Sequence, residues 1–278
     1  MRTIGIIAQL TLHEAARRRI LLATVLCGLA FLALFAIGLH FIHRDITRHG
    51  NATLIEQRML LNFFIMAGLY AVNFLMIMTA VLLPVDTLSG EIASGVMQTV
   101  ASKPVRRSEI VLGKWLGHGI GLAGYLVFMA GGVLAIGRAI SGVMPPQVTR
   151  GVPLMLLEGL VLMTLSIAGG ARLSTITNGI VAFGLYGLAF VGSWVEQIGA
   201  HAGNDTAREV GTAASLLMPS ESMWQLAAWH MQPPLMRELH MTPFSPVSVP
   251  NLAMVAWAGG YVIVTLLVGL RGFSKRGL

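Results

Sequence analysis

The chain has 278 residues, of which 55% are hydrophobic and only 11% are charged, and its mean hydropathy is +0.74. Soluble domains typically carry about 25% charged residues. So few charges cannot cover the surface of a water-soluble globule, which excludes an ordinary soluble enzyme, a disordered chain and a fibrous protein. The composition therefore predicts a protein whose outer surface is solvated by lipid.

The net charge of +7 comes from basic residues that are few and stand between apolar runs. Nucleic-acid binding needs clustered bases on one accessible face, whereas dispersed bases beside apolar runs favour contact with anionic lipid headgroups. We therefore expect membrane lipids as a partner and no nucleic acid. The single cysteine, Cys27, lies within an apolar run and cannot form an intramolecular disulfide.

Six apolar runs are long enough to cross about 30 Å of hydrocarbon as helices. They are Ile20–Ile42, Leu60–Pro84, Ile110–Ile136, Val152–Gly170, Ile176–Val195 and Leu252–Leu270. The runs are continuous and do not alternate in polarity, which favours helices over a β-barrel. The sequence thus predicts an all-α, polytopic membrane protein with six transmembrane helices in one domain covering residues 1–278.

The distribution of Lys and Arg predicts the orientation. Twelve of the 19 basic residues fall on the side that holds both termini, so we expect cytoplasmic termini in a cell inner (plasma) membrane. Residues Ile4–Arg19 have an amphipathic helical pattern and end in a basic triplet. They form either an interfacial helix in the headgroup layer, which we favour, or a cytoplasmic extension of the first span.

Two segments outside the spans, 86–109 and 196–251, are long enough for a function. In the first, Thr87 or Ser89 is expected to cap a short helix over Glu91–Val100, which Pro104 would end, and Ser108 is expected to cap the third span. The segment is either a helix parallel to the membrane or a solvated loop whose bases fix the topology. Those bases are Lys103, Arg106 and Arg107.

This segment and the start of the third span together resemble a known motif. The residues are Glu91, Gly95, Pro104-Val105, Arg107, Ile110 and Gly113-Lys114. In order and spacing they resemble the ABC transporter permeases of the type-2 exporter class, closest to the short permeases associated with multicopper-enzyme maturation. Many members have a basic pair directly after the glutamate, where this chain has Ile92-Ala93.

The resemblance implies that the short helix docks on a separate ATPase subunit and transmits its movement. The residues implied in this coupling are Glu91, Gly95, Pro104, Arg106, Arg107 and Lys114. The resemblance also implies two copies of the chain with two ATPase subunits, which bind ATP and Mg, so no cofactor and no enzymatic activity are expected in this chain. Independently, Gly113-Lys114 is not a phosphate-binding loop, because Ser108 replaces the upstream glycine and Trp115 follows the lysine.

Glu158 is the main charged residue within a predicted span, where a carboxylate is costly and indicates a pathway or a paired charge. Its expected partner is Arg138 or Arg150, unless it simply reaches the headgroup layer. Together with Asn73 it is a candidate for the translocation path, although polar residues in spans also serve helix packing.

The external segment 196–251 is rich in Met and His, which are ligands suited to Cu(I). No repeated metal-ligand spacing occurs, so we expect no metal site there. Ser220–Met231 is instead predicted to be an amphipathic helix, capped by Ser220, that lays Met223, Trp224 and Ala227 on the membrane surface. The resemblance implies that this region closes the exit path and that an external maturation or accessory protein is a further partner.

Together these observations predict the permease subunit of an ATP-driven exporter that forms the translocation path as a dimer. The alternative is a permease-like anchor or sensor for an ATPase or maturation complex that moves no solute. A secondary transporter is disfavoured because ion coupling usually needs more intramembrane carboxylates than this chain has.

Overall fold

The computed structural model describes residues 2–17, 19–49, 53–95, 105–239, 242 and 244–274. These residues form eleven α-helices and no β-strand. The helices are α1 (Arg2–Arg17), α2 (Arg19–His49), α3 (Leu54–Leu82), α4 (Ser89–Ala93), α5 (Arg107–Ser141), α6 (Val148–Gly170), α7 (Thr175–Ala202), α8 (Asp205–Leu217), α9 (Ser220–Met231), α10 (Pro234–Glu238) and α11 (Leu252–Ser274).

Within the described ranges, six helices are long and apolar enough to cross a membrane, namely α2, α3, α5, α6, α7 and α11. The predicted all-α fold with six spans is therefore confirmed. Most of these helices extend beyond the predicted apolar runs into polar residues, and polar side chains cap some of their ends. Thr53 Oγ1, for example, accepts a hydrogen bond from the Glu56 N–H at 3.3 Å, and the Glu56 carboxylate accepts one from the Thr53 N–H at 2.7 Å.

Because the number of spans is even, both ends of the chain lie on one side of the bundle, here called the terminal side. This side carries α1 and α4, and the opposite, distal side carries α8, α9 and α10. The central helices are α3 and α6, which bury most of their length. In contrast, α2, α7 and α11 expose apolar side chains such as Leu34, Ile176 and Ile263 along the bundle, as expected for a lipid-facing surface.

Helix α1 forms at the predicted place and packs against α5. Its buried residues Ala8, Thr11 and Ala15 follow helical spacing and so form one face. The partner surface on α5 lacks side chains at Gly113 and Gly117, which lets the two backbones approach closely. One face of α1 is thus covered by α5, whereas Ile6 and Leu10 stay exposed. The placement of α1 in the headgroup layer stays a prediction.

Helix α9 has the predicted bounds but not the predicted location. Met223, Trp224 and Ala227 are buried among the spans and do not lie on a membrane surface. The helix packs mainly against α6 and α7, with further contacts to α3 and α11. Its N-cap residue is Pro219, without a side-chain cap, so the predicted capping by Ser220 is wrong. The close approach depends on Gly151 of α6, where a Cβ would lie 2.5 Å from Met231 Cγ.

Substitution of Gly117 by valine should displace α1 from α5. A Cβ at Gly117 would lie 2.7 Å from the Ala8 carbonyl oxygen, which as a backbone atom has little freedom to move away. Overpacking of this kind costs about 1–3 kcal/mol. We expect a lower thermal unfolding midpoint in lipid nanodiscs and faster proteolysis within α1. Gly121→Val is the matched control, since a Cβ there meets no atom within 4 Å. Equal effects of the two substitutions would contradict the prediction.

Candidate functional site

The terminal side carries the short helix α4, whose predicted bounds need correction. The helix covers Ser89–Ala93, and its N-cap is Leu88, without a side-chain cap. Neither Thr87 nor Ser89 therefore caps a helix that begins at Glu91. Gly95 follows with a positive φ of 75°, a conformation that glycine adopts without strain. The remainder of the predicted helix, 96–100, lies outside the described residues, as do Lys103 and Pro104.

The hydroxyl groups that were expected to cap the helix instead bind neighbouring spans. Thr87 Oγ1 lies 2.7 Å from His118 Nε2 of α5, in a buried hydrogen bond. Ser89 Oγ lies 2.8 Å from Thr175 Oγ1 at the start of α7. The α4 segment, defined as residues 83–95, is thus tied to two different spans by side-chain hydrogen bonds.

A buried asparagine binds the backbone near the start of this segment. Asn178 of α7 is 2% exposed, and its Nδ2 donates to the Val85 carbonyl at 3.2 Å and to the Ser166 carbonyl of α6 at 2.7 Å. Ser166 Oγ in turn donates to the Val81 carbonyl at 2.9 Å. The Val81 and Val85 carbonyls lie at and just beyond the C-terminal end of α3, where backbone carbonyls lack helical partners. These bonds therefore stabilise the end of α3 and connect α3, α6 and α7.

Glu91 and Lys114, both predicted coupling residues, form an ion pair between Glu91 Oε1 and Lys114 Nζ. The two side chains are only 14% and 8% exposed. A buried charge pair that loses one partner leaves an uncompensated charge, which is strongly destabilising. The pair therefore holds α4 against α5, and most of the surface of both side chains is unavailable to another protein.

The start of α5 also differs from the expectation. The helix begins at Arg107 with Arg106 as its N-cap, so Ser108 is not the cap. The Glu109 carboxylate accepts a hydrogen bond from the Arg106 N–H at 3.3 Å. Arg107 Nη1 donates to the Ser274 carbonyl at 3.2 Å and so joins α5 to the end of α11, whereas Arg106 is exposed on the terminal side.

On the distal side, Glu158 is fully buried in α6 and does not reach a surface. No ion pair joins it to Arg138 or Arg150 within the described part of the chain, so that expectation is wrong. Its carboxyl group lies near Asn73 of α3, but neither carboxyl oxygen meets hydrogen-bond geometry. Glu158 and Asn73, the two predicted pathway residues, are thus brought together.

A second carboxyl group, which the sequence analysis did not single out, lies close to Glu158. Glu221 of α9 is 5% exposed, and the two carboxyl groups interact electrostatically. Burial raises the pKa of Glu221 to about 7. Sequence analysis missed it because α9 was placed on the membrane surface, where a glutamate is unremarkable. A glutamate in a helix whose other faces are mostly apolar was the available signal.

Glu221 lines a cavity of about 480 Å³ between α3, α7, α9 and the segment that precedes α11. Tyr70, Trp224 and Phe244 form an aromatic group on its wall, with ring centroids 5.4 Å apart for Tyr70 and Trp224 and 5.5 Å apart for Tyr70 and Phe244. Gln197 of α7 binds the segment that precedes α11, because its Oε1 accepts a hydrogen bond from the Val247 N–H at 2.7 Å.

Four methionines of the Met/His-rich segment pack in the protein core. Met218, Met223, Met231 and Met236 are at most 4% exposed. No group of three or more His, Cys, Asp and Glu side chains that could hold a metal ion occurs among the residues the structure describes. His240 and Met241 lie outside them.

Six helices that are long and apolar enough to cross a membrane define a multi-pass membrane protein. The chain belongs to the ABC-2 family of transporter proteins, whose sequence model matches residues 7–278. Membership confirms the resemblance at the level of the family and makes this chain a membrane subunit of an ABC transporter, a transport component that is not itself catalytic. No curated protein is significantly similar to the chain.

Removal of one charge of the Glu91–Lys114 pair should destabilise the protein by about 3 kcal/mol, because the other charge stays buried without a partner. Glu91→Gln and Lys114→Met should each lower the unfolding midpoint, and the double variant should recover most of the loss. Asp205→Asn is the control, since the Asp205–Arg208 pair is exposed and contributes less than about 1 kcal/mol. Additive losses in the double variant would contradict the prediction.

The raised pKa of Glu221 predicts a pH dependence of stability. Between the ordinary pKa of 4.5 and about 7, the folded state binds more protons than the unfolded state, so the free energy of unfolding decreases as the pH rises through this range. The contribution is at most about 3 kcal/mol. Glu221→Gln removes it, so the variant should lose less stability than the wild type between pH 5 and 8.

Thermal unfolding at several pH values measures this difference. Glu209→Gln, which replaces an exposed carboxyl group on the same side, is the control and should retain the wild-type pH dependence. The same pH dependence in wild type and Glu221→Gln would show that Glu221 titrates normally.

Proposed function

We propose that this chain is the permease subunit of an ATP-driven exporter, in which two copies form the translocation path above two separate ATPase subunits. The observation that supports this proposal best is the attachment of the α4 segment to three spans through buried polar contacts. A short helix on a membrane face that served only as a loop would not need an ion pair and several hydrogen bonds to the bundle.

These contacts provide a route by which a movement of α4 reaches the distal side. The Glu91–Lys114 pair connects α4 to α5, Ser89 connects it to α7, and Asn178 connects its base to α6. Buried polar contacts of this kind resist separation, so a force on α4 shifts the attached spans with it. The distal halves of α6 and α7 contact α9, which bears Glu221 on the cavity wall.

In the proposed orientation, the protein lies in the inner membrane of the cell and its terminal side faces the cytoplasm. The excess of Lys and Arg on this side supports it. ATP and Mg are then bound by the ATPase subunits beneath α4, and α9 serves as part of a lid over the exit. Gly95, Arg106 and Arg107 are proposed, with the undescribed Pro104, to shape the docking surface, whereas Glu91 and Lys114 position it.

The alternative function, an anchor or sensor that moves no solute, gives no reason for a cavity with a buried carboxylate between the spans. The cavity therefore favours transport. An external maturation or accessory protein on the distal side is proposed from the resemblance alone.

Site-specific photocrosslinking tests the docking surface. A photoreactive residue at exposed Ser94, next to α4, should form an adduct with the ATPase subunit, because the proposal places this position against the partner. The same residue at exposed Asn204 on the distal side is the matched control and should form none. The purified chain alone should hydrolyse no ATP. Equal crosslinking at both positions, or ATP hydrolysis by a partner-free preparation, would refute the proposal.

A further inference from the structure

The cavity beside Glu221 combines an aromatic wall with a negative charge. The Tyr70 ring is tilted by 49° against that of Trp224 and by 46° against that of Phe244, so the three rings do not form a parallel stack. The faces of aromatic rings attract cations within about 6 Å of the ring centroid. Glu221 lines the same cavity as the three rings, so a bound cation would have aromatic rings and a carboxyl group within one cavity.

A second carboxyl group interacts electrostatically with Glu221. Glu158 is fully buried near Glu221, and both of its carboxyl oxygens are without hydrogen-bond partners among the described residues. No Lys or Arg occurs among the described residues that line the cavity. A buried carboxylate that is ionised without a basic partner is costly, and a positively charged ligand would offset that cost.

Several other polar side chains of the wall already bind one another or the backbone. Gln197 Nε2 donates to Gln225 Oε1 at 3.2 Å and to the Ser248 carbonyl at 3.0 Å, and Gln225 Nε2 donates to Ser193 Oγ. These amides hold the segment that closes the cavity. Glu221 bears the only carboxyl group among the described residues that line the cavity, and so it is the acidic acceptor available to a cation.

We propose that this cavity binds small organic cations, which are amines or quaternary ammonium compounds with an apolar body, and that such cations are the substrate class. The substrate assignment rests on the proposed transport function, whereas the binding site does not. A volume of about 480 Å³ falls in the range of small-molecule sites. A metal ion fits poorly, because the hard cations take six or more oxygen ligands and the described residues provide no cluster of three ligating side chains.

A proton competes with the cation at this site. Burial raises the pKa of Glu221 to about 7, and the titratable groups around it are Glu158 of α6, Tyr70 of α3, and Tyr186 and His201 of α7. Binding of a cation needs the ionised carboxylate, so its affinity increases as the pH rises from 6 to 8. A protonated, neutral site releases the cation.

Isothermal titration calorimetry on the full-length chain in lipid nanodiscs tests the site without an ATPase. The probes are phenyltrimethylammonium and its neutral isostere tert-butylbenzene. We expect saturable binding of the cation, at least tenfold tighter than that of the isostere, and at least a tenfold loss of affinity in Glu221→Gln. Glu209→Gln, an exposed carboxyl group on the same side, should bind as the wild type does.

Equal affinity for the two probes, unchanged binding by Glu221→Gln, or an equal loss in Glu209→Gln would overturn the proposal. Should Glu221→Gln fail to fold, the pH dependence of binding by the wild type is the test. Phenyltrimethylammonium does not titrate, so a wild-type affinity that is constant from pH 6 to 8 would also overturn the proposal. If the chain binds the cation but the assembled complex transports nothing on addition of ATP, only the proposed transport function is refuted. If the complex transports another class of solute and the chain does not bind the cation, only this inference is refuted.

Discussion

The structure depends on one constraint: hydrocarbon offers no hydrogen-bond partners, so polar groups inside the bundle must find them within the protein. The exit from α3 shows the consequence. There the Val81 and Val85 carbonyls are satisfied by Ser166 and Asn178, which lie on two other spans. The same contacts that satisfy the backbone also fix the α4 segment to the bundle, so a structural requirement and a proposed coupling route coincide.

The two sides of the bundle satisfy this constraint to different degrees. On the terminal side Glu91 has Lys114, and the hydroxyl groups of Thr87 and Ser89 have partners on α5 and α7. On the distal side Glu158 has none within the described ranges, and Glu221 lies on a cavity wall. The terminal side, where these polar groups have partners, suits a rigid connection to a partner subunit. The distal side, where the carboxyl groups have no basic partner among the described residues, suits a ligand that supplies a positive charge.

Small residues let these contacts form. Gly113 and Gly117 admit α1 against α5, and Gly151 admits α9 against α6. Between lipid-facing helices the hydrophobic effect contributes little, so close packing and interhelical hydrogen bonds carry more of the association. The position of α9 therefore depends on a glycine in a different helix, which the periodicity of α9 itself does not reveal.

The sequence alone determined the all-α class, the six spans and the family motif, because long apolar runs and a linear motif are local properties. It also indicated Glu158 as unusual and named Glu91 and Lys114 separately. Only the tertiary structure decided that Glu91 pairs with Lys114, that Glu158 meets Asn73 and Glu221 in place of an arginine, and that α9 lies inside the bundle. Pairing and burial depend on which helices become neighbours, and a glutamate has the same appearance in a sequence whether it faces water, a lysine or another carboxyl group.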